Sequence, residues 1–128
     1  MPIPPPEKLV VFDYSGTLSF SAPRFGKSDN LRRVLKDSGL ASLGVATPEI
    51  FWDRIVNPTW TEGSTTAVGY IRTMAERIVT LRLSAAAPGE ITAAASRFVE
   101  AYLDASRIDP RWRPILSRLN ESPAVRTV

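Results

Sequence analysis

The sequence contains neither cysteine nor histidine among its 128 residues. Without cysteine, the chain has no disulfides, thiolate zinc sites, iron–sulfur clusters or thiol nucleophile. Without histidine, it lacks the base of Ser-His-Asp catalysis and the imidazole ligands of zinc and non-haem iron. Any chemistry must therefore use carboxylates, hydroxyls, basic side chains or backbone dipoles, and a metal partner would be a hard cation such as magnesium.

Long hydrophobic runs are also missing. No uninterrupted apolar stretch of about 18 residues occurs, so we expect no transmembrane helix and no membrane partner. The first eight residues, MPIPPPEK, lack the basic and apolar parts of a secretory signal and resemble an extended proline-rich leader. We therefore expect a cytoplasmic protein. Its apolar content of 44% and charged content of 23% are typical of one globular domain.

Positive charge is present but dispersed. The 16 basic residues exceed the 13 acidic ones by a net charge of +3, and Arg32-Arg33 is the longest basic run. Nucleic-acid-binding proteins usually cluster their basic residues on one face. We interpret these arginines as solvated surface and expect no nucleic-acid partner.

Two segments have strand character. Leu9–Phe12 (LVVF) is an apolar run that ends at the polar turn of residues 13–17, and a run without alternation is typical of a parallel strand buried on both faces. Residues 124–128 (AVRTV) follow the break at Ser122-Pro123 and predict a second strand. We expect the two strands to be parallel neighbours with a right-handed connection.

Helix signals fill the segment between these strands. Five helix starts are marked by capping residues or by proline in the first turn. They lie at Ser28 or Asp29, at Thr47-Pro48, at one of Ser64, Thr65 or Thr66, at Pro88 and at Asp109-Pro110. Gly39 and Asn57-Pro58 are expected helix ends. Apolar residues recur at helical spacing within the segment, notably at Val68, Ile71, Ala75, Ile78 and Val79.

The order of elements predicts an α/β, helix-rich chain in three parts. Residues 1–27 hold a strand and a turn, residues 28–107 form a helical insertion, and residues 108–128 supply a helix and the second strand. Two parallel strands make a poor sheet by themselves. The chain therefore looks like the first part of a longer domain, or one that a partner completes, and we predict self-association through uncovered strands.

Asp13 would lie at the carboxyl end of the first strand, where ligands collect in open α/β sheets. Gly16 allows a tight backbone path, and turn amides can face an anion. A carboxylate there can act as a nucleophile and form an acyl phosphate. Alternatively, Asp13 makes an ordinary turn hydrogen bond after the strand.

The string of residues 9–18, LVVFDYSGTL, resembles the first motif of the haloacid dehalogenase-like (HAD) superfamily, an apolar strand followed by D-x-D-G-T-L or a variant. The resemblance implies a Rossmann-like core with an α-helical cap at residues 28–107. It further implies that Asp13 is the nucleophile and that the Asp13 carboxylate and the Ser15 backbone carbonyl bind magnesium. Gly16 would permit the turn, and the Thr17 hydroxyl would support it.

The family resemblance also implies a phosphorylated small-molecule substrate, with contacts expected from Tyr14, Gly16 and Arg24. Phosphatases of the family usually have a second aspartate where this chain has Ser15, and loss of such proton transfer costs about 10²–10⁴-fold in rate. Dehalogenase- or phosphonatase-like cleavage and a non-catalytic, degenerate binding protein therefore remain alternatives. With Asp13 as the only site carboxylate, magnesium would be held weakly, and we expect the chain alone to be inactive.

Several weaker signals have two interpretations. The second-motif hydroxyl of the family is expected just beyond Val128, with Thr127 as the alternative. Arg24 either reaches a substrate anion or is solvated, and the segment 62–66 either caps a helix or binds an anion. Trp52, Trp60 and Tyr70 form either core or pocket. A helical protein unrelated to the HAD superfamily is the third hypothesis.

Overall fold

The computed structural model describes residues 7–59 and 66–127, so the proline-rich leader lies outside the described residues. The chain forms two compact units. The sheet unit combines Met1–Arg24 with Ala105–Val128, and the helical unit is Phe25–Asp104. Both divisions fall three residues before the boundaries expected from the sequence, at 27/28 and 107/108.

The sheet unit contains a two-stranded parallel ribbon. Strand β1 (Lys8–Val10) pairs with β2 (Val125–Thr127), and Leu9 lies opposite Arg126. The amides of Glu7 and Lys8 both donate to the Ala124 carbonyl at 2.9 Å, which extends the pairing by one step. The predicted parallel pair within a helix-rich α/β chain is therefore confirmed.

The prediction that the first strand is buried on both faces is wrong. Leu9 is 63% exposed and Val11 is 68% exposed, and the strand ends at Val10, before Phe12. Burial on both faces requires a covering layer on each side of the sheet. Helix α7 (Arg113–Glu121) contacts β2, whereas the Leu9 side chain has no such cover among the described residues.

Two further helical elements lie in the sheet unit with α7, the first of them except for its last residue, Phe25. Helix α1 (Ala22–Phe25) begins after Ser19, whose hydroxyl accepts from the Ala22 amide at 3.2 Å. A 3-10 turn at Pro110–Trp112 leads into α7, and Pro114 lies in the first turn of α7. Asp109 caps the 3-10 turn because its carboxylate accepts from the Arg111 amide.

The helical unit contains the chain's main apolar core. Its elements are α2 (Ser28–Ser38), a 3-10 turn (Ala41–Leu43), α3 (Pro48–Ile50), a π-helical stretch (Phe51–Val56), α4 (Asn57–Thr59), α5 (Ala67–Thr80) and α6 (Pro88–Ala105). The Phe98 ring packs against Phe25 and Phe51 at centroid distances of 5.5 and 5.0 Å. None of these described helices is both long and apolar enough to cross a bilayer.

Side-chain caps explain two of the predicted helix starts. The Thr47 side chain accepts from the Ile50 amide, and the Thr66 side chain accepts from the Gly69 amide, so both predicted caps are confirmed. The other two candidates for the second cap, Ser64 and Thr65, lie outside the described residues.

Lys27 occupies the N-cap position of α2 without a side-chain hydrogen bond, so the predicted cap at Ser28 or Asp29 is wrong by at least one residue. Gly39 ends α2 with a φ of 92°, as expected.

The prediction that Asn57-Pro58 ends a helix is also wrong, because helical structure continues to Thr59. A proline at position 58 removes the amide that would donate to the Arg54 carbonyl four residues earlier. The Arg77 side chain replaces that donor, with its Nε 2.9 Å from the Arg54 oxygen. The preceding π-helical stretch also widens the turn, and the Asn57 amide reaches back to the Trp52 carbonyl. A distant arginine and a widened turn therefore accommodate the proline.

Candidate functional site

Five of the six predicted site residues lie in the loop of residues 13–19 that follows β1. Its backbone is closed on itself by three hydrogen bonds. The Tyr14 carbonyl accepts from the Thr17 amide at 3.3 Å and from the Ser19 amide at 2.9 Å, and the Gly16 amide donates to the Ser19 carbonyl at 2.9 Å. We call residues 13–19 the site loop. It has a defined conformation and begins three residues beyond the carboxyl end of β1.

Gly16 gives the site loop its shape. Its φ is 81°, in the left-handed region that side chains disfavour. Space is not the constraint, because a Cβ at this position would lie 3.7 Å from Pro23 Cγ, an ordinary contact. The predicted role of Gly16 in permitting the turn therefore has a geometric basis in the backbone alone.

A second chain segment, residues 106–112, fastens the site loop, and we call it the clamp segment. It lies in the sheet unit, more than eighty residues after the loop along the chain. Three hydrogen bonds connect the two segments: the Tyr14 hydroxyl to the Ser106 carbonyl, the Asp109 amide to the Leu18 carbonyl at 2.7 Å, and the Trp112 Nε1 to the Thr17 carbonyl at 2.8 Å. Local sequence patterns did not predict these contacts.

The clamp segment also carries a charged pair. The guanidinium of Arg111 donates to both carboxylate oxygens of Asp109, at 2.9 and 3.0 Å. This side-chain hydrogen bond, more than the backbone bond and the charge, holds the pKa of Asp109 below its ordinary value, and it raises the pKa of Arg111. The guanidinium carbon lies 5.0 Å from the centre of the Phe20 ring. Arg111 is thus engaged within the protein, beside the site loop.

Asp13 and Ser15 differ from these neighbours because both are exposed. Within residues 7–59 and 66–127, the Asp13 carboxylate has no hydrogen bond or ion pair, and the Ser15 carbonyl accepts no hydrogen bond. Both oxygens are therefore available to a ligand. Tyr14 is anchored to the clamp segment through its hydroxyl, which leaves its ring partly exposed.

The Asp13 carboxylate and the Ser15 carbonyl are oxygen ligands of the kind that magnesium prefers, but they are too few to form a complete magnesium site. A carboxylate and a backbone carbonyl are the oxygen ligands that hard cations prefer, and magnesium takes six ligands in all. No group of three or more acidic side chains converges anywhere in the described part of the chain. Asp13 and Ser15 therefore supply at most a part of a magnesium site.

The Thr17 hydroxyl, expected to support the turn, makes no hydrogen bond to described residues. Instead, the Thr17 backbone does so through its amide and its carbonyl. Arg24 lies exposed in the last turn of α1, with its side chain unpaired among the described residues. Its exposure leaves both interpretations from the sequence open.

The aromatic candidates lie elsewhere in the chain. Trp52 and Tyr70 belong to the helical unit, where Trp52 packs edge-to-face on Phe51. Burial, and secondarily the Tyr102 charge, raises the pKa of Tyr70. Trp60 and residues 62–65 lie outside the described residues. Neither Trp52 nor Tyr70 belongs to the unit that holds the site loop.

Comparison with known proteins adds no relative. No family model, no curated protein and no solved structure matches this chain. The candidate site is therefore defined by its own residues alone. These are the Asp13 carboxylate and the Ser15 carbonyl, both without a partner among the described residues, in a glycine-containing loop that hydrogen bonds hold in place.

Proposed function

We propose that the site loop is the nucleophile loop of a HAD-like hydrolase that acts on a phosphorylated small molecule. The observation that carries this proposal is the position of Asp13. Its exposed carboxylate is unpaired among the described residues and lies three residues after the end of β1, at the start of a loop that backbone and side-chain hydrogen bonds hold in place. Ligands collect at such strand ends in open α/β proteins.

The proposed reaction has two steps. A carboxylate oxygen of Asp13 attacks the phosphorus of a phosphate monoester, the bond from phosphorus to the ester oxygen breaks, and the leaving alkoxide takes a proton from water to depart as the alcohol. Water then attacks the phosphorus of the aspartyl phosphate, releases inorganic phosphate and regenerates Asp13. The chain's own contribution is to orient the carboxylate, and the Tyr14 and Ser15 amides, which donate to no described residue, are loop amides left to contact the anion.

The distribution of charge favours an anionic substrate. The sheet unit carries seven basic and four acidic residues, whereas the helical unit carries nine of each. The whole net charge of +3 therefore belongs to the unit that holds the site loop. Such an imbalance raises the local concentration of negatively charged ligands. We propose Arg24 as a substrate contact for the same reason.

Magnesium would be held by the Asp13 carboxylate and the Ser15 carbonyl, and when bound it would offset charge on the phosphoryl oxygens. Further acidic ligands would have to come from outside the described residues. Ser15 cannot protonate a leaving alkoxide near neutral pH, because a serine hydroxyl has no suitable pKa. We therefore propose that the chain by itself turns over little or no substrate.

Ser15 also favours a second candidate function. A degenerate relative that kept the loop but lost the acid would bind an anionic ligand without turnover. A dehalogenase- or phosphonatase-like reaction would keep Asp13 as the nucleophile and needs different proton transfer. These alternatives differ from the proposed phosphatase in the fate of the ligand and share its binding loop.

The binding part of the proposal can be tested on the chain alone with beryllium fluoride and magnesium, because that anion resembles a phosphoryl group on a carboxylate. We expect the backbone amide signals of Gly16 and Thr17 to shift in NMR spectra of the wild type and of Asp29→Asn, a matched control on α2. Asp13→Asn should show no shift. Equal shifts in Asp13→Asn and wild type, or none in either, would overturn Asp13 as a phosphoryl acceptor.

Turnover is tested separately. In any form of the protein that hydrolyses a phosphate ester, Asp13→Asn should abolish phosphate release while the far-ultraviolet circular dichroism spectrum stays unchanged. Normal release by this variant would refute the nucleophile. Loop shifts with beryllium fluoride but no turnover in any form would favour the binding protein.

A further inference from the structure

An open apolar groove runs between α5 and α6 in the helical unit. Its volume is about 550 Å³, and its apolar lining comes from Val68, Ile71, Ala75 and Val79 on α5 and from Pro88 and Ile91 on α6. Ile91 is buried and forms the floor, whereas Val68 is 77% exposed and Val79 is 51% exposed. The groove therefore presents apolar side chains that the described part of the helical unit does not cover.

Apolar residues form a stripe along one side of α5, with Val68 and Val79 exposed and Ala75 half-buried between them. Val68, Ala75 and Val79 are spaced by seven and four residues, which places them on one helix face. The buried residues of α5, Met74 and Ile78, point to a neighbouring face. Helix α5 thus has two apolar faces, one packed in its own core and one facing outward. An exposed apolar stripe beside an open groove is a candidate interaction surface.

Two charged residues flank this outward stripe. Arg72 and Glu76 line the groove, are both exposed and are four residues apart. They have the spacing of an intrahelical ion pair, yet neither side chain makes an ion pair or a hydrogen bond to the described residues. One positive and one negative group on the same stripe are therefore both available to a partner.

This arrangement is complementary to itself. When two copies of α5 lie antiparallel about a two-fold axis near Met74, Arg72 of each copy faces Glu76 of the other. Symmetry makes the pair occur twice, as in every isologous interface. The same alignment brings Val68 of each copy to the Val79 end of the other helix.

We propose that the α5 stripe, residues 68–79, is the dimerisation surface of this protein and that its occupant is a second copy of the chain. The apolar residues supply the attraction, and the two crossed Arg72–Glu76 pairs set the antiparallel register. The surface is separate from the strands of the sheet unit. It is independent of the hydrolase proposed above, because no residue of the site loop takes part.

Charge reversal tests the proposal on the full 128-residue chain by sedimentation velocity from about 10 µM to about 1 mM. Arg72→Glu and Glu76→Arg should each weaken self-association by about tenfold or more, because both crossed pairs become repulsive. The double variant Arg72→Glu/Glu76→Arg should restore the wild-type dissociation constant. Arg32 on α2 is exposed and has no side-chain partner among the described residues, so Arg32→Glu should leave the dissociation constant unchanged. Circular dichroism spectra would show that every variant is folded.

The sedimentation results distinguish between the candidate occupants of the α5 stripe. A wild-type chain that stays monomeric at every concentration overturns the proposal, and it points to the undescribed segment 60–65 or to another protein as the occupant. Dimers that respond to Val10→Pro in β1 but not to the α5 reversals overturn it in favour of strand pairing. Loss of dimer in both single reversals without restoration in the double variant overturns the crossed register.

Discussion

The indole Nε1 of Trp112 donates a hydrogen bond of 2.8 Å to the backbone carbonyl of Thr17, 95 residues earlier in the chain. The same indole packs edge-to-face on Phe12, with ring centroids 5.6 Å apart. One side chain therefore fixes both the segment that enters the site loop and the loop's own backbone. The position of Asp13, which lies between these two contacts, depends on it.

The first prediction concerns this indole. Trp112→Phe keeps an aromatic ring beside Phe12 but removes the donor to Thr17, and we expect a loss of about 1 kcal/mol in the free energy of unfolding. Amide hydrogen exchange at Gly16 and Ser19 should accelerate. Trp52→Phe is the matched control, because the Trp52 indole has no hydrogen bond among described residues. Equal acceleration of the loop amides in both variants would contradict the assigned contact.

The second prediction concerns Gly16. Gly16→Ala should lower the free energy of unfolding by about 1–2 kcal/mol, because the φ of 81° is unfavourable for a residue with a Cβ. Gly89→Ala, in the first turn of α6, meets nothing within 4 Å and should be neutral or stabilise by up to about 1 kcal/mol. Urea unfolding of the two variants checks the sign. A stabilising Gly16→Ala would show that the loop tolerates an ordinary backbone conformation.

The third prediction is a pH dependence. Arg111 lowers the pKa of Asp109 in the folded protein below its ordinary value of 3.8. Asp109 should therefore contribute stability above that pH and lose this contribution as the pH falls through the folded-state pKa. In a carbon-13 NMR titration, the Asp109 midpoint should rise towards 3.8 in Arg111→Gln. An unchanged midpoint would remove Arg111 as the cause.

The fourth prediction is a coupling between Arg77 and Pro58. Arg77→Met should cost about 0.5–1.5 kcal/mol in the wild-type background, since the Arg54 carbonyl loses its donor. In the Pro58→Ala background the backbone amide of residue 58 can donate instead, so the same substitution should cost less. A double-mutant cycle measures the difference. Additive effects would mean that Arg77 does not compensate for the proline.

Features set within a few residues could be predicted from the sequence. Thr47 and Thr66 each cap a helix by accepting a hydrogen bond from the backbone amide three residues later, and Gly39 ends α2 because it adopts a left-handed φ. Local sequence patterns are sufficient to predict such features. The parallel pairing also followed from the order of elements, because strands separated by a long helical segment are usually parallel. The bend at Gly16 is local in the same sense.

Features set by distant residues could not be predicted. The helix passes Pro58 because Arg77 supplies a donor, and Leu9 is exposed because no layer covers it among described residues. The contacts of the clamp segment could not be predicted for the same reason, because they join residues more than ninety positions apart in the sequence. The chemical roles of Asp13, Ser15 and Arg24 stay predictions.

The long separation between the site loop and its clamp has a consequence for how the protein is made. The two segments cannot meet until the ribosome has synthesised the chain beyond residue 112, whereas the helical unit consists of one continuous segment, Phe25–Asp104. Contacts of high sequence separation form slowly, and continuous segments fold first during synthesis. The nascent chain should therefore complete its helical unit early and order the site loop, with Asp13, last.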